Sequence, residues 1–394
     1  MMQKIIGMFV LLLFFFSSAW SATPAIQPGA EQLDSYLPLL KNKRIAVFAN
    51  HSSLIGNASL VDVLLDHHIH VVKIFAPEHG FRGNQDERIT DTVDEKTGLP
   101  IVSLYGKKLT PTAEDLRDVD IILFDIQDVG VRFYTYISSL QKMMEAAVNN
   151  NKPLIILDRP NPNGFYVDGP VLDLHYKSFT GMQPIPVVYG MTIGEYAKML
   201  VGEEWLHVIP KEKSKNLQLT IIPCAHYTHK SLYIPPVKPS PNLPNIQSIY
   251  WYPSLGMMEG TAMSIARGTN HPFQMFGHPR LHTLFYFIPT PRLGAESPRF
   301  KYKKCYGWNL IENRSVVLQH LQRKLQIRYL LKAYRLFPDK KHFFLGFNFV
   351  AGNHQLAEQI KSGMSEKQIR LSWQTQLIEF KKIRKKYLLY PDFE

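Results

Sequence analysis

Short runs of apolar, largely β-branched residues recur through the first half of the chain, separated by stretches with helical spacing. Arg44 to Ala49, His70 to Phe75, Asp120 to Phe124 and Pro153 to Leu157 read as four strands, with Leu60 to His68 helix-like and Ile137 to Asn149 amphipathic. A strand exposed on one face would alternate apolar with polar residues. Near-continuous apolar strands between helices therefore predict a parallel sheet covered on both faces, a Rossmann-like α/β domain. Thr192 and Glu195 have the spacing of a capping box that opens a helix over Tyr196 to Leu206, so Glu195 reads as a cap rather than a catalyst. Pro235 to Pro244 holds five prolines and must be extended, either a linker or the stiff wall of a cleft. From Ser365 a last helix is expected, with Ile369, Trp373, Leu377 and Phe380 forming one apolar stripe.

Length and charge narrow this picture. With 394 residues, 45% hydrophobic and 20% charged, two domains can each bury a core. The divisions expected are a leader over 1–21, a sheet domain over 22–206 and a second domain over 207–394. The leader follows from Lys4, a 12-residue apolar run from Ile5 to Phe16 and small residues at Ala19 and Ser21. That run is too short to span a bilayer and fits a secretory signal cleaved near Ser21, so a secreted or periplasmic protein with no remaining membrane segment is expected. The net charge of +12 lies in the last quarter, where Arg299 to Glu394 carries 20 Lys/Arg against 7 Asp/Glu. A solvated face, or attraction to anionic cell-wall or membrane polymer, explains that as well as nucleic acid does, and no nucleic-acid partner is expected. Cys224 and Cys305 are the only cysteines, in no metal-ligand spacing.

In an open parallel sheet the ligand lies beyond the carboxyl ends of the strands. Here those ends are polar. The first delivers Asn50 and His51; the second Glu78, His79 and Arg82; the third Asp125, Asp128, Arg132 and Tyr134; the fourth Asp158, Arg159 and Asn161. No Gly-x-Gly-x-x-Gly follows a strand, and P-loop, Gly-x-Ser-x-Gly and His-Glu-x-x-His patterns are absent, so no cofactor or metal is expected. Carboxylates at strand ends suit acid–base hydrolysis of an acetal, in which one carboxyl group protonates the leaving oxygen and a second acts as base or nucleophile. Glu78, between Pro77 and a glycine-flanked aromatic, fits the acid. Arg82, Arg132, Arg159 and Arg267 suit an anionic substrate group, which a guanidinium grips through two parallel hydrogen bonds. Two other readings fit the same residues: a non-catalytic module binding anionic cell-wall glycan, and metal-dependent hydrolysis through His51, His79 and Asp125.

The stretches Ala76 to Gly83, Asp125 to Tyr136 and Leu157 to Gly164 resemble the NamZ-type exo-β-N-acetylmuramidases. So do Tyr189 to Glu195, Ser240 to Pro244, Glu259 to Thr261, Arg267 to Thr269 and Pro272-Phe273, in the same order. The resemblance implies a Rossmann-like domain, a smaller α/β domain and an active site in the cleft between them. It also implies release of N-acetylmuramic acid from the non-reducing end of peptidoglycan fragments. The catalytic glutamate it implies is Glu78; read with the strand-end residues, His79 is expected as its positioning partner and Asp125, Asp158 or Glu259 as candidate second carboxylate. The substrate's lactyl carboxylate would give the arginines a partner. One departure is Ile265, where the family pattern leads one to expect an acidic residue.

Overall fold

The computed structural model describes residues 24–82 and 90–394, so the N-terminal apolar run and Gly83 lie outside the described residues. The large sheet contains β1 (Ile45–Ala49), β2 (Val71–Ala76), β3 (Thr92–Val93), β4 (Pro100–Ser103), β5 (Ile121–Asp125), β6 (Leu154–Leu157) and β7 (Leu219–Ile222). Its order is β7-β6-β5-β1-β2-β4-β3, parallel throughout except for the edge pair β3 and β4. Every residue of β1, β5 and β6 is buried, which is what their unbroken apolar runs signalled.

Two helices, α1 (Leu33–Leu40) and α2 (Leu60–Asp66), cover one face through Tyr36, Leu40, Leu60 and Leu64 packed on Val47, Ile74 and Leu123. The other face lies under α3 (Tyr136–Asn149) and α4 (Ile193–Gly202). From there a single core continues into the second domain, joining Phe48 and Phe124 to Trp251, Leu330 and Phe380. Phe48 and Phe124 stack at 4.6 Å and are fully buried; truncating either to Ala is expected to cost about 3–5 kcal/mol.

The second domain starts with α5 (Ile246–Gly256). It has a three-stranded antiparallel sheet of β8 (Met275–His278), β9 (Tyr286–Phe287) and β10 (Cys305–Asn309), with β10 in the middle. Six short helices complete it: α6 (Arg314–Leu321), α7 (Arg328–Leu336), α8 (Phe347–Ala351), α9 (Gln355–Lys361), α10 (Glu366–Ser372) and α11 (Gln374–Lys385).

Four expectations change. The boundary at 206 falls too early, because β7 lies beyond it and pairs with β6 in the first sheet. The Ile137–Asn149 helix is buried on nearly every side rather than on one face. Its polar Gln141 and Glu145 bond each other at 2.8 Å, and Gln183 donates to Gln141 at 3.0 Å. The capping box at Thr192 and Glu195 is present, but its helix stops at Gly202. The last helix is two, broken at Trp373, although the stripe from Ile369 to Phe380 is buried as read. Cys224 and Cys305 are both buried and not bonded to each other. Among the described residues no helix is long and apolar enough to cross a membrane.

Candidate active site in the interdomain cleft

The sheet order reverses between β1 and β5: the chain moves outward from β1 through β2 and β4, and outward on the other side from β5 through β6 and β7. Loops leaving β1 and β5 must therefore diverge, opening a crevice at their carboxyl ends. A cleft of about 340 Å³ sits there. The first domain supplies Glu78 and His79 after β2, Tyr105 after β4, and Phe133, Tyr134 and Thr135 after β5. The second supplies Tyr252 from α5, together with Glu259, Arg267 and Phe273. Ser240, Asn242 and Leu243 close one side, so the proline-rich segment is a wall of the cleft and not a linker.

Glu78 is half-buried. Its Oε1 accepts a hydrogen bond from the Tyr105 hydroxyl at 2.9 Å, and its Oε2 one from the Thr135 hydroxyl at 3.4 Å. The Gly80 amide donates to the Pro77 carbonyl at 3.1 Å, closing a tight turn in which His79 takes φ 73°. That position normally belongs to glycine. A histidine held there stores strain, which tends to collect at functional loops.

Glu259 accepts from Arg267 Nε at 2.8 Å, and Nη2 lies 2.8 Å from the same oxygen. The guanidinium lies over the Phe273 ring at 5.2 Å. Burial opposes its charge, but Glu259, Tyr252 and Glu78 together hold its pKa above the ordinary guanidinium value. Tyr252 packs edge-on against Phe133 (5.3 Å), Tyr134 (5.9 Å) and Phe273 (4.8 Å), giving a continuous aromatic wall. Burial first, and the Glu259 carboxylate second, push its phenol well above the usual range, so it stays a neutral hydroxyl.

The other residues singled out from the sequence are elsewhere or engaged. Arg82 grips Asp94 with two bonds of 2.8 and 2.7 Å and reaches Asp62 at 3.3 Å, away from the cleft. Arg132 is buried and donates to the carbonyls of Pro170, Ile185, Val350 and Ala351 at 2.7–3.0 Å. It joins the two domains instead of facing the cleft. Asp125 and Arg159 form a buried bidentate pair at 2.5 and 2.8 Å; burial raises the carboxyl's pKa and the guanidinium opposes the rise. Asp158 accepts from Thr192 Oγ1 (2.7 Å), the Gly194 amide (2.8 Å) and Tyr390 (2.5 Å), and burial pushes its pKa up to about 6.

Asp128 accepts from the Gly130 amide at 2.6 Å and from the Tyr189 hydroxyl, and its pKa too is raised by burial to about 6. Asn50 is buried, donating to Tyr136 at 2.9 Å while its carbonyl holds Ser52. His51 donates from Nε2 to the Lys238 carbonyl at 2.8 Å, and burial lowers its pKa. Asn161 donates to the Met191 carbonyl at 2.8 Å, and Tyr134 at the cleft donates to the Pro239 carbonyl at 2.9 Å.

Of the residues chosen from the sequence, the cleft thus gathers Glu78, His79, Tyr134, Glu259 and Arg267. With both Asp125 oxygens on Arg159, His51, His79 and Asp125 do not form a donor set, and among the described residues no cluster of three such side chains is placed to hold a metal ion. Ile265 packs in the core and does not line the cleft. Sequence reasoning passed over Tyr105, Phe179 and Tyr252. Tyr105 follows a four-residue strand too short to register, and Tyr252 sits in a helix buried along its whole length, where an aromatic reads as core.

Comparison with known proteins gives a consistent answer. Residues 45–247 match the family described as exo-beta-N-acetylmuramidase NamZ, N-terminal, and residues 250–390 its C-terminal counterpart. The chain is similar to the peptidoglycan beta-N-acetylmuramidase NamZ of Bacillus subtilis (strain 168), 37% identical over 93% of this chain and 92% of that protein. Two crystal structures of DUF1343 family proteins from Bacteroides fragilis NCTC 9343 also superpose. One has a TM-score of 0.86 at 44% identity, covering 94% of this chain and 100% of that one; the other has 0.77 at 28%, covering 93% and 99%. The chain therefore belongs to the NamZ exo-β-N-acetylmuramidase family.

Proposed function

We propose that this protein is an exo-acting glycoside hydrolase that releases N-acetylmuramic acid from the non-reducing end of peptidoglycan fragments, with Glu78 as general acid. The observation that carries the reading is the position of Glu78 on an aromatic-walled cleft that also holds a second carboxylate, Glu259. Acetal hydrolysis usually uses two: one carboxyl to protonate the leaving oxygen, and one to activate water or face the sugar carbon as it becomes positive. Asp125 and Asp158 are fully buried and do not line the cleft, which leaves Glu259, paired there with Arg267, for the second role. His79 shares the Glu78 turn and positions it.

Of the four arginines weighed for the substrate, Arg267 is the one that lines the cleft, where it also pairs with Glu259, so it is the one placed to meet the lactyl carboxylate. A cleft of about 340 Å³, near the lower end for small-molecule sites, has room for one substituted hexosamine, in keeping with attack at a chain end. A peptidoglycan substrate and the apolar leader favour work outside the cytoplasm, secreted or periplasmic. N-terminal sequencing of exported protein should begin near Ala22.

The purified enzyme should release free sugar from a muramic-acid-terminated disaccharide, and Glu78→Gln should lower kcat by about 10²–10⁴, the usual worth of general acid catalysis. Full activity in the glutamine variant would remove Glu78 from the role.

A further inference from the structure

With the terminal sugar bound in the cleft as proposed, the rest of a longer glycan would leave across its rim. This inference rests on the activity proposed above. We infer that the glycan beyond the cleaved bond lies on an aromatic ledge formed by the half-buried Tyr176 and the exposed Phe349. The loop that carries Tyr176 turns tightly at Ser178 and Gly181, which exchange backbone hydrogen bonds of 3.0 and 3.1 Å, and the tip of that turn, Phe179 and Thr180, lines the cleft. Tyr176 packs edge-on against Phe349 at 5.9 Å, and Phe349 is 50% exposed.

Helix α8, which carries Phe349, is fastened to the other side of the same cleft. The Leu345 amide just before it donates at 2.7 Å to the carbonyl of Gly260, the residue after Glu259. Gly260 has no room for a side chain, since a Cβ there would come within 2.6 Å of Phe347 Cα. The ledge is therefore tied to the catalytic cleft at two points, through Phe179 and through the Glu259 turn. Leu345 and Leu174 are also large apolar residues about half exposed, 51% and 54%. Single exposed apolar residues need no explanation, but an aromatic pair whose loop also lines the cleft does. The apolar C–H face of a pyranose stacks on aromatic rings, and a glycan continuing from the bound terminal sugar is the occupant already tethered there.

The test compares kcat/KM on a muramic-acid-terminated disaccharide and on the corresponding tetrasaccharide, for the full-length enzyme and for Phe349→Ala, Tyr176→Ala and Phe349→Tyr. The unaltered enzyme should prefer the tetrasaccharide. Phe349→Ala should lose about tenfold on the tetrasaccharide and less than twofold on the disaccharide, Tyr176→Ala should follow it, and Phe349→Tyr should restore the preference, as expected for stacking. Equal effects on both substrates, or none, would overturn the ledge while leaving the catalytic reading intact. So would a shift in oligomeric state on size exclusion with Phe349→Ala, which would mark the patch as a contact between copies of the chain. If the unaltered enzyme cleaves neither substrate, the activity itself is refuted and the ledge falls with it.

Discussion

His79 sits at φ 73°, a conformation that costs an L-residue about 1–2 kcal/mol and glycine almost nothing. That makes the ring separable from the turn. His79→Gly should fold at least as stably as the parent, by urea denaturation, yet lose activity if the imidazole positions Glu78. His79→Ala keeps the strain, so it should be less stable than His79→Gly and lose activity as well. An active glycine variant would reduce His79 to a turn residue. Arg267 makes a second residue-level test, because a bidentate charged hydrogen bond contributes about 1.5–3 kcal/mol and a lysine cannot reproduce the fork. Arg267→Lys should lower kcat/KM about 10–100-fold on a muramic-acid-terminated disaccharide and much less on an N-acetylglucosamine-terminated one, which lacks the carboxylate. An equal loss on both would mean that Arg267 serves Glu259 alone.

At the scale of elements, the start of α4 shows how a carboxylate at a strand end can be structural. Asp158, just beyond β6, accepts the Gly194 amide and the Thr192 hydroxyl, while Thr192 and Glu195 cap each other. Thr192→Ala should cost about 1 kcal/mol, as a lost cap does, and Asp158→Ala about 3 kcal/mol, because it strands three buried donors. Folded Asp158→Asn should keep its kcat; a loss like that of Glu78→Gln would show that this carboxyl takes part in the reaction. The case also marks what the chain reveals by itself. Unbroken apolar runs announced β1, β2, β5 and β6, and Thr192-x-x-Glu195 announced a helix start, because both signals are local. Polar groups at strand ends were equally visible, but which of them face the cleft depends on partners far along the chain: Asp94 for Arg82, Val350 and Ala351 for Arg132, Tyr390 for Asp158. Short strands such as β4 and β7 owe their existence to neighbours in the sheet, so their own residues gave too weak a pattern, and the domain boundary was misplaced with them.

For the whole molecule, the buried carboxyls fix how stability depends on pH. Asp128 and Asp158 titrate near pH 6 in the fold because burial disfavours their charge, against about 3.9 when unfolded. The folded state therefore holds these protons more tightly. Stability from them is full below about pH 4 and is lost as pH rises through 6, by up to ~3 kcal/mol each. Asp94 runs the other way: the Arg82 guanidinium holds its carboxyl below the usual range, so its contribution is present above about pH 4 and lost in acid. His278, whose pKa burial pushes down to about 4, also gains stability as pH rises through 4 to 6.5, so over that range it opposes the falling contribution of Asp128 and Asp158. Asp128→Asn isolates the contribution of one of these carboxyls. Asp128 accepts its two hydrogen bonds through Oδ2 alone, and Oδ1 has no partner, so an asparagine oxygen can keep both bonds while removing the titration. Urea denaturation at pH 4.5 and 7.5 should show the asparagine variant gaining stability relative to the parent at the higher pH, by up to ~3 kcal/mol. Parallel curves for the two proteins would mean that Asp128 is already ionised at the lower pH and that its burial is compensated by the Gly130 and Tyr189 donors.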